Sequence, residues 1–94
     1  MPKRVDANQH EIVEALRCIP GVSVTCTHMV GHGFPDIIVG FLGYNYLLEI
    51  KTEKGKLTDS EIKWQNGWAG RCSIVHTVEE AFMAIGLVHI DERF

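Results

Sequence analysis

Two carboxylates and one lysine stand at the ends of two strongly apolar runs. Asp36 opens the first run, residues 36–42; Glu49 and Lys51 close the second, residues 45–51. Successive side chains on a strand point to opposite faces, so Glu49 and Lys51 share a face roughly 6–7 Å apart, while Leu48 and Ile50 occupy the other. A two-residue turn at Gly43-Tyr44 sets Asp36 opposite Lys51, and a turn at Tyr44-Asn45 keeps the same parity. Asp36, Glu49 and Lys51 are therefore expected on one patch. Two carboxylates held together repel, and one takes a proton unless a cation joins them. Mg²⁺ binds through one or two carboxylates together with water and substrate phosphate. An ion held there makes a water a stronger nucleophile, and a neighbouring ammonium positions that water or stabilises charge on an attacked phosphate. This is the equipment of phosphodiester hydrolysis. The bland alternative is a turn-ending Asp36 after Pro35 and a solvated Glu49–Lys51 charge pair.

The surrounding sequence supplies the elements that must hold these groups. Ile12, Val13, Ala15, Leu16 and Ile19 recur with helical spacing, which predicts a helix over 6–19, capped by Asp6 and closed by Pro20-Gly21. Residues 22–27 are alternating and β-branched and read as a strand, followed by a loop from His28 to Phe34. After the two central strands, residues 52–56 form a turn. Thr58 with Glu61 forms a capping box opening a helix that carries Ile62, Trp64 and Trp68 and stops at Gly70. Residues 71–76 read as a strand, and Thr77 with Glu80 repeats the capping signal before a last helix. The order is αβββαβα, an α/β fold with a mixed central sheet flanked by helices.

The chain has 94 residues, too few for two cores, so one domain over 1–94 is expected. Three cysteines without CxxC spacing argue against a disulfide scaffold. No apolar run is long enough to span a membrane, and the first residues are polar, which predicts a cytoplasmic location. A net charge of −3 excludes nucleic-acid binding by bulk charge alone, though not through a local patch or a bound cation.

The motif Pro35-Asp36, then twelve residues, then Glu49-Ile50-Lys51 resembles the signature of the PD-(D/E)xK nuclease superfamily. Gly33-Phe34-Pro35-Asp36 and Lys56-Leu57-Thr58 resemble the G-x-P-D and K-L-[ST] steps of its VRR-NUC domains, small stand-alone forms of which occur in phages. The resemblance covers residues 8–85. It implies a restriction-endonuclease-like core, with Mg²⁺ or Mn²⁺ held by Asp36, Glu49 and the Ile50 backbone carbonyl. Lys51 would then position or activate the attacking water. It also implies an acid from the first helix, where Glu11 flanks the Ile12–Leu16–Ile19 stripe and Glu14 faces solvent, which selects Glu11. Glu61 stands where these domains usually carry Gln, and Gln65 lies one turn later; both are auxiliary candidates. The implied activity is a metal-dependent DNA endonuclease acting as a homodimer on branched DNA such as four-way (Holliday) junctions, in a host cytoplasm if phage-encoded. The alternative is a non-catalytic DNA-binding or subunit-interaction module.

Other residues have weaker assignments. His32 is a candidate phosphate contact, and Lys54, Lys56 and Lys63 a candidate rim for DNA backbone. Trp64 and Trp68, at i and i+4, read as core residues or, second, as a base-stacking pair. Cys26, His28 and His32 with Cys72 or His76 match no common zinc spacing. Trp68, Phe41, Phe82 and Phe94 exceed what one small core readily encloses, so some are expected in a two-fold interface.

Overall fold

Alternation along the strands sorts the sheet into one apolar and one mixed face. The computed structural model describes residues 7–87; the Asp6 cap and Phe94 lie outside them. The elements are α1 (Ala7–Arg17), β1 (Val22–Cys26), β2 (Ile37–Phe41), β3 (Tyr44–Ile50), α2 (Asp59–Gly67), β4 (Ser73–Val75) and α3 (Val78–Ala84). The sheet runs β1-β2-β3-β4; the first two pairings are antiparallel and β3 with β4 is parallel. A mixed four-stranded sheet with three helices is the expected α/β architecture in the expected order.

The register aligns Val24, Val39 and Tyr46 across three strands, and likewise Cys26, Ile37 and Leu48, while Ile50 pairs with Val75. These positions form the apolar face. Ile12, Val13 and Leu16 from α1 and Ala81 and Ile85 at α3 complete the buried core with Ile37, Val39, Leu48, Ile50 and Val75. Burying one such side chain contributes about 1.5–3 kcal/mol. The opposite face carries Asp36, Ile38, Leu47, Glu49 and Ile74 and is covered at its Asp36–Glu49 end by the start of α2.

The central hairpin differs from the expected one. Phe41 pairs with Tyr44, so the loop residues are Leu42 (φ 52°) and Gly43 (φ 85°), one residue earlier than Gly43-Tyr44. Both take positive φ, as a type I′ turn requires, and its twist matches the flanking strands. The shift moves the partner of Asp36 by two residues: with Ile37 opposite Leu48, the next position sets Asp36 opposite Glu49 rather than Lys51. A two-residue shift preserves the face, so the three charged groups still lie on one side.

Helix α2 also ends earlier than Gly70. Trp68 is its C-cap, in extended conformation, and its N–H bonds the Gln65 carbonyl.

Candidate active site

Asp36 is held before its side chain does anything. Its carbonyl accepts the Thr27 N–H at 2.8 Å, its N–H donates to the Leu48 carbonyl at 3.1 Å, and the Thr27 hydroxyl bonds the Pro35 carbonyl at 2.6 Å. The carboxylate then crosses to β3, where Oδ2 accepts the Ile50 N–H at 2.8 Å. Asp36 is 2% exposed and Glu49 is fully buried. Like charges directly opposite on neighbouring strands are destabilising, so a buried pair of this kind calls for cationic compensation.

Part of that compensation is Lys51, whose ammonium lies 2.7 Å from Glu61 Oε1 and 3.5 Å from Glu49 Oε2. Glu61 is itself buried and doubly anchored. Its N–H donates to the Thr58 hydroxyl at 3.2 Å, while its Oε1 accepts the Thr58 N–H at 2.8 Å. Burial by itself would raise the Glu61 carboxyl. Hydrogen bonds with Lys51, the Thr58 N–H and the Glu49 side chain, with the Lys51 charge added, outweigh it and bring the carboxyl down from 4.5 to about 2. Glu61 therefore joins helix cap and lysine in one group. The second Thr-x-x-Glu differs: the exposed Glu80 accepts the His76 N–H at 2.8 Å and pairs with His76 Nδ1 at 2.9 Å. Its carboxylate engages His76 rather than a lysine.

The approach of α2 to Asp36 depends on Gly33. A Cβ there would collide with the Ser60 carbonyl, and its φ of +83° is disfavoured for other residues. Only glycine lets the loop before Asp36 lie against the first turn of α2.

Two participants were not expected at this site from the sequence. Asn8 of α1 donates its amide to the Lys51 carbonyl at 3.1 Å. Cys72, just before β4, lies close enough to the carboxylates that its thiol is pushed up to about 11, first by burial and then by the charges of Glu49 and Asp36. Gln65 reaches Cys72 Sγ at 3.6 Å, so it approaches the site through the thiol.

Glu11 is not brought to the pair. Gln9 and Val13 are buried beside Ile12 and Leu16, which turns the inward stripe of α1 away from Glu11. At about 100° per residue, Glu11 then lies roughly opposite the buried face, and it is exposed. The expectation of Glu11 beside the stripe took Ile19 as its edge, but Ile19 lies beyond the helix. Glu14 is exposed too, 3.6 Å from His10. His32, Lys54, Lys56 and Lys63 are all exposed, with His32 and Lys63 lining one groove with Ser60 and Trp64. Among the described residues no three His, Cys, Asp or Glu side chains are grouped to hold a metal, which leaves the zinc combination without support.

The donor set offered by Asp36, Glu49 and the Ile50 carbonyl is all oxygen, and the neighbouring Cys72 is held as a neutral thiol. Two carboxylates with a carbonyl, completed by water and substrate phosphate, suit Mg²⁺ or Mn²⁺ rather than a softer ion. No protein-family model, curated protein or solved structure matches the chain. Among the described residues no helix is long and apolar enough to cross a membrane.

Proposed function

We propose that this protein is a Mg²⁺- or Mn²⁺-dependent DNA endonuclease with a restriction-endonuclease-like core of the VRR-NUC type. The observation that carries the reading is the burial of Asp36 and Glu49 on one sheet face, with Lys51 fixed beside them. Burying two carboxylates is unfavourable without a compensating charge, and a purely structural role would be served better by apolar residues. That argument also weighs against a non-catalytic module of the same fold.

In this reading Asp36, Glu49 and the Ile50 carbonyl hold the cation, which supplies charge stabilisation at the scissile phosphate and a more acidic water. Asp36 keeps its orientation through the Ile50 N–H, which fixes the carboxylate plane against β3. Lys51 donates toward the attacking water or the phosphate, and Glu61 sets where its ammonium sits. Asn8 holds the Lys51 backbone from the other side of the strand end.

The substrate reading is branched DNA cut by a two-fold dimer. A domain of this size grips little duplex by itself, and a second copy supplies a second cleavage centre. Support comes from large exposed apolar side chains: Met29, Leu42, Tyr44 and Met83. Phe41 and Phe82 are instead half-buried against the core.

The test is incubation of the pure protein with labelled linear, flap and four-way-junction DNA in Mg²⁺, Mn²⁺ or EDTA, alongside sedimentation. Metal-dependent cleavage lost in Asp36→Asn and in Glu49→Gln, with the fold retained, is the expected result. Full activity in either variant overturns the site. A monomer that cuts junctions fully at micromolar concentration removes the dimer.

A further inference from the structure

Three aromatic rings form a column along α2 that the core does not use. Phe34 meets Trp64 edge-on, with centroids 5.2 Å apart, and Trp64 stacks on Trp68 at 4.7 Å with an interplanar angle of 20°. Both tryptophans lie outside the buried core cluster, contrary to the expectation from their spacing. Trp68 remains 44% exposed although Trp64 covers one of its faces, so the exposure belongs to its other face and its edges. The Gly70 main chain lies against the indole nitrogen, where a Cβ would come 2.8 Å from Trp68 Nε1, so the remaining exposure is on the rest of the ring. The stack of rings therefore ends on an indole that is still partly exposed.

The column is continuous with the carboxylate site. Phe34 lies two residues before Asp36, and Trp64 lies one helical turn after Glu61. An open groove of about 320 Å³ alongside is lined by His32, Ser60, Lys63 and Trp64. His32 takes φ 55°, an uncommon conformation for a residue other than glycine. Lys63 gives the groove positive charge, and the exposed Lys54 and Lys56 lie on the segment leading into α2. An aromatic face beside lysines on a chain of net charge −3 fits a flat apolar ring linked to phosphates.

We infer that the Phe34–Trp64–Trp68 column is a stacking platform for an unpaired nucleotide of single-stranded DNA, with Lys63 and His32 facing its phosphates. A base inside a duplex already has both faces covered, whereas an unpaired base can extend the column over Trp68. The inference rests on the nuclease reading only in placing that nucleotide next to the scissile phosphate. It narrows branched DNA to branches that carry single-stranded nucleotides, such as flaps and forks.

Trp64 and Trp68 are the chain's two tryptophans, so its intrinsic tryptophan fluorescence reports on this column alone. The full chain carrying Asp36→Asn is titrated with a short oligothymidylate, the same strand with abasic positions, and a blunt duplex. The expected result is quenching by oligothymidylate, none by the abasic strand, and about tenfold weaker binding of the duplex. Trp68→Ala raises the oligothymidylate Kd about tenfold, and Trp68→Phe restores most of it. Equal quenching by abasic and thymidylate strands, or an unchanged Kd in Trp68→Ala, overturns the platform. Because the abasic comparison uses native tryptophans, it decides even if Trp68→Ala fails to fold. Cleavage is scored separately on the protein without substitutions. Trp68-dependent binding without cleavage sinks the nuclease and keeps the platform; cleavage with no Trp68 dependence does the reverse.

Discussion

Replacing Glu61 with Gln tests the link between the helix cap and the lysine. The Glu61 carboxyl ionises near 4.5 in the unfolded chain and at about 2 in the folded one. At 1.36 kcal/mol per pKa unit, that gap is worth about 3 kcal/mol of folding stability. Total stabilities are about 5–15 kcal/mol, so the contribution is large. The folded value is the depressed one, so the stabilisation is fully present above the unfolded value near 4.5. It is lost as pH falls from there through about 2. Glu61→Gln keeps an oxygen to accept the Thr58 N–H but removes the charge that Lys51 faces at 2.7 Å. Urea unfolding of both proteins in EDTA, at several pH values between 7 and 2, reads this group together with the Glu49 and Lys51 it is coupled to. The variant should be about 3 kcal/mol less stable at neutral pH, with the gap closing from about pH 4.5 downward to roughly 0.4 kcal/mol at pH 2, where the folded Glu is half protonated. Parallel curves across the whole range would refute the coupling, and so would a variant as stable as the parent at pH 7.

Further outcomes follow from the same geometry. Glu11→Gln and Glu14→Gln should both leave cleavage unchanged and stability within about 0.5 kcal/mol, since both are exposed on α1; strong loss in Glu11→Gln would show that α1 rotates when the site is loaded. Gly33→Ala should lower Tm and reduce cleavage together, because its Cβ would meet the Ser60 carbonyl; a neutral result in thermal melts would mean the loop does not rest on α2. Lys51→Ala should keep Mg²⁺-dependent thermal stabilisation while losing turnover, because its ammonium is assigned to water and phosphate rather than to the ion. Loss of the stabilisation as well would move Lys51 into the ion's own site.

The features legible from sequence were those with local causes. Strand alternation has a period of two, so Asp36, Glu49 and Lys51 share a face whichever odd register the hairpin takes. The Thr58–Glu61 box acts over three residues and forms as its spacing predicts. The order of elements likewise follows from caps, glycines and apolar periodicity. Long-range packing decided the rest. The pairing of Asp36 with Glu49 depends on which two residues take positive φ in the turn, and Leu42 is not a residue that announces this. The phase of α1 depends on what it packs against, and the burial of polar Gln9 turned it away from Glu11. Only the fold brings Glu61 across to Lys51, Asn8 to the Lys51 carbonyl and Cys72 beside the carboxylates, because each contact joins elements distant in the chain. The tryptophan spacing favoured a buried pair, yet neither ring joins the core. Burial is set by what lies over a helix face, and no sequence window contains that information.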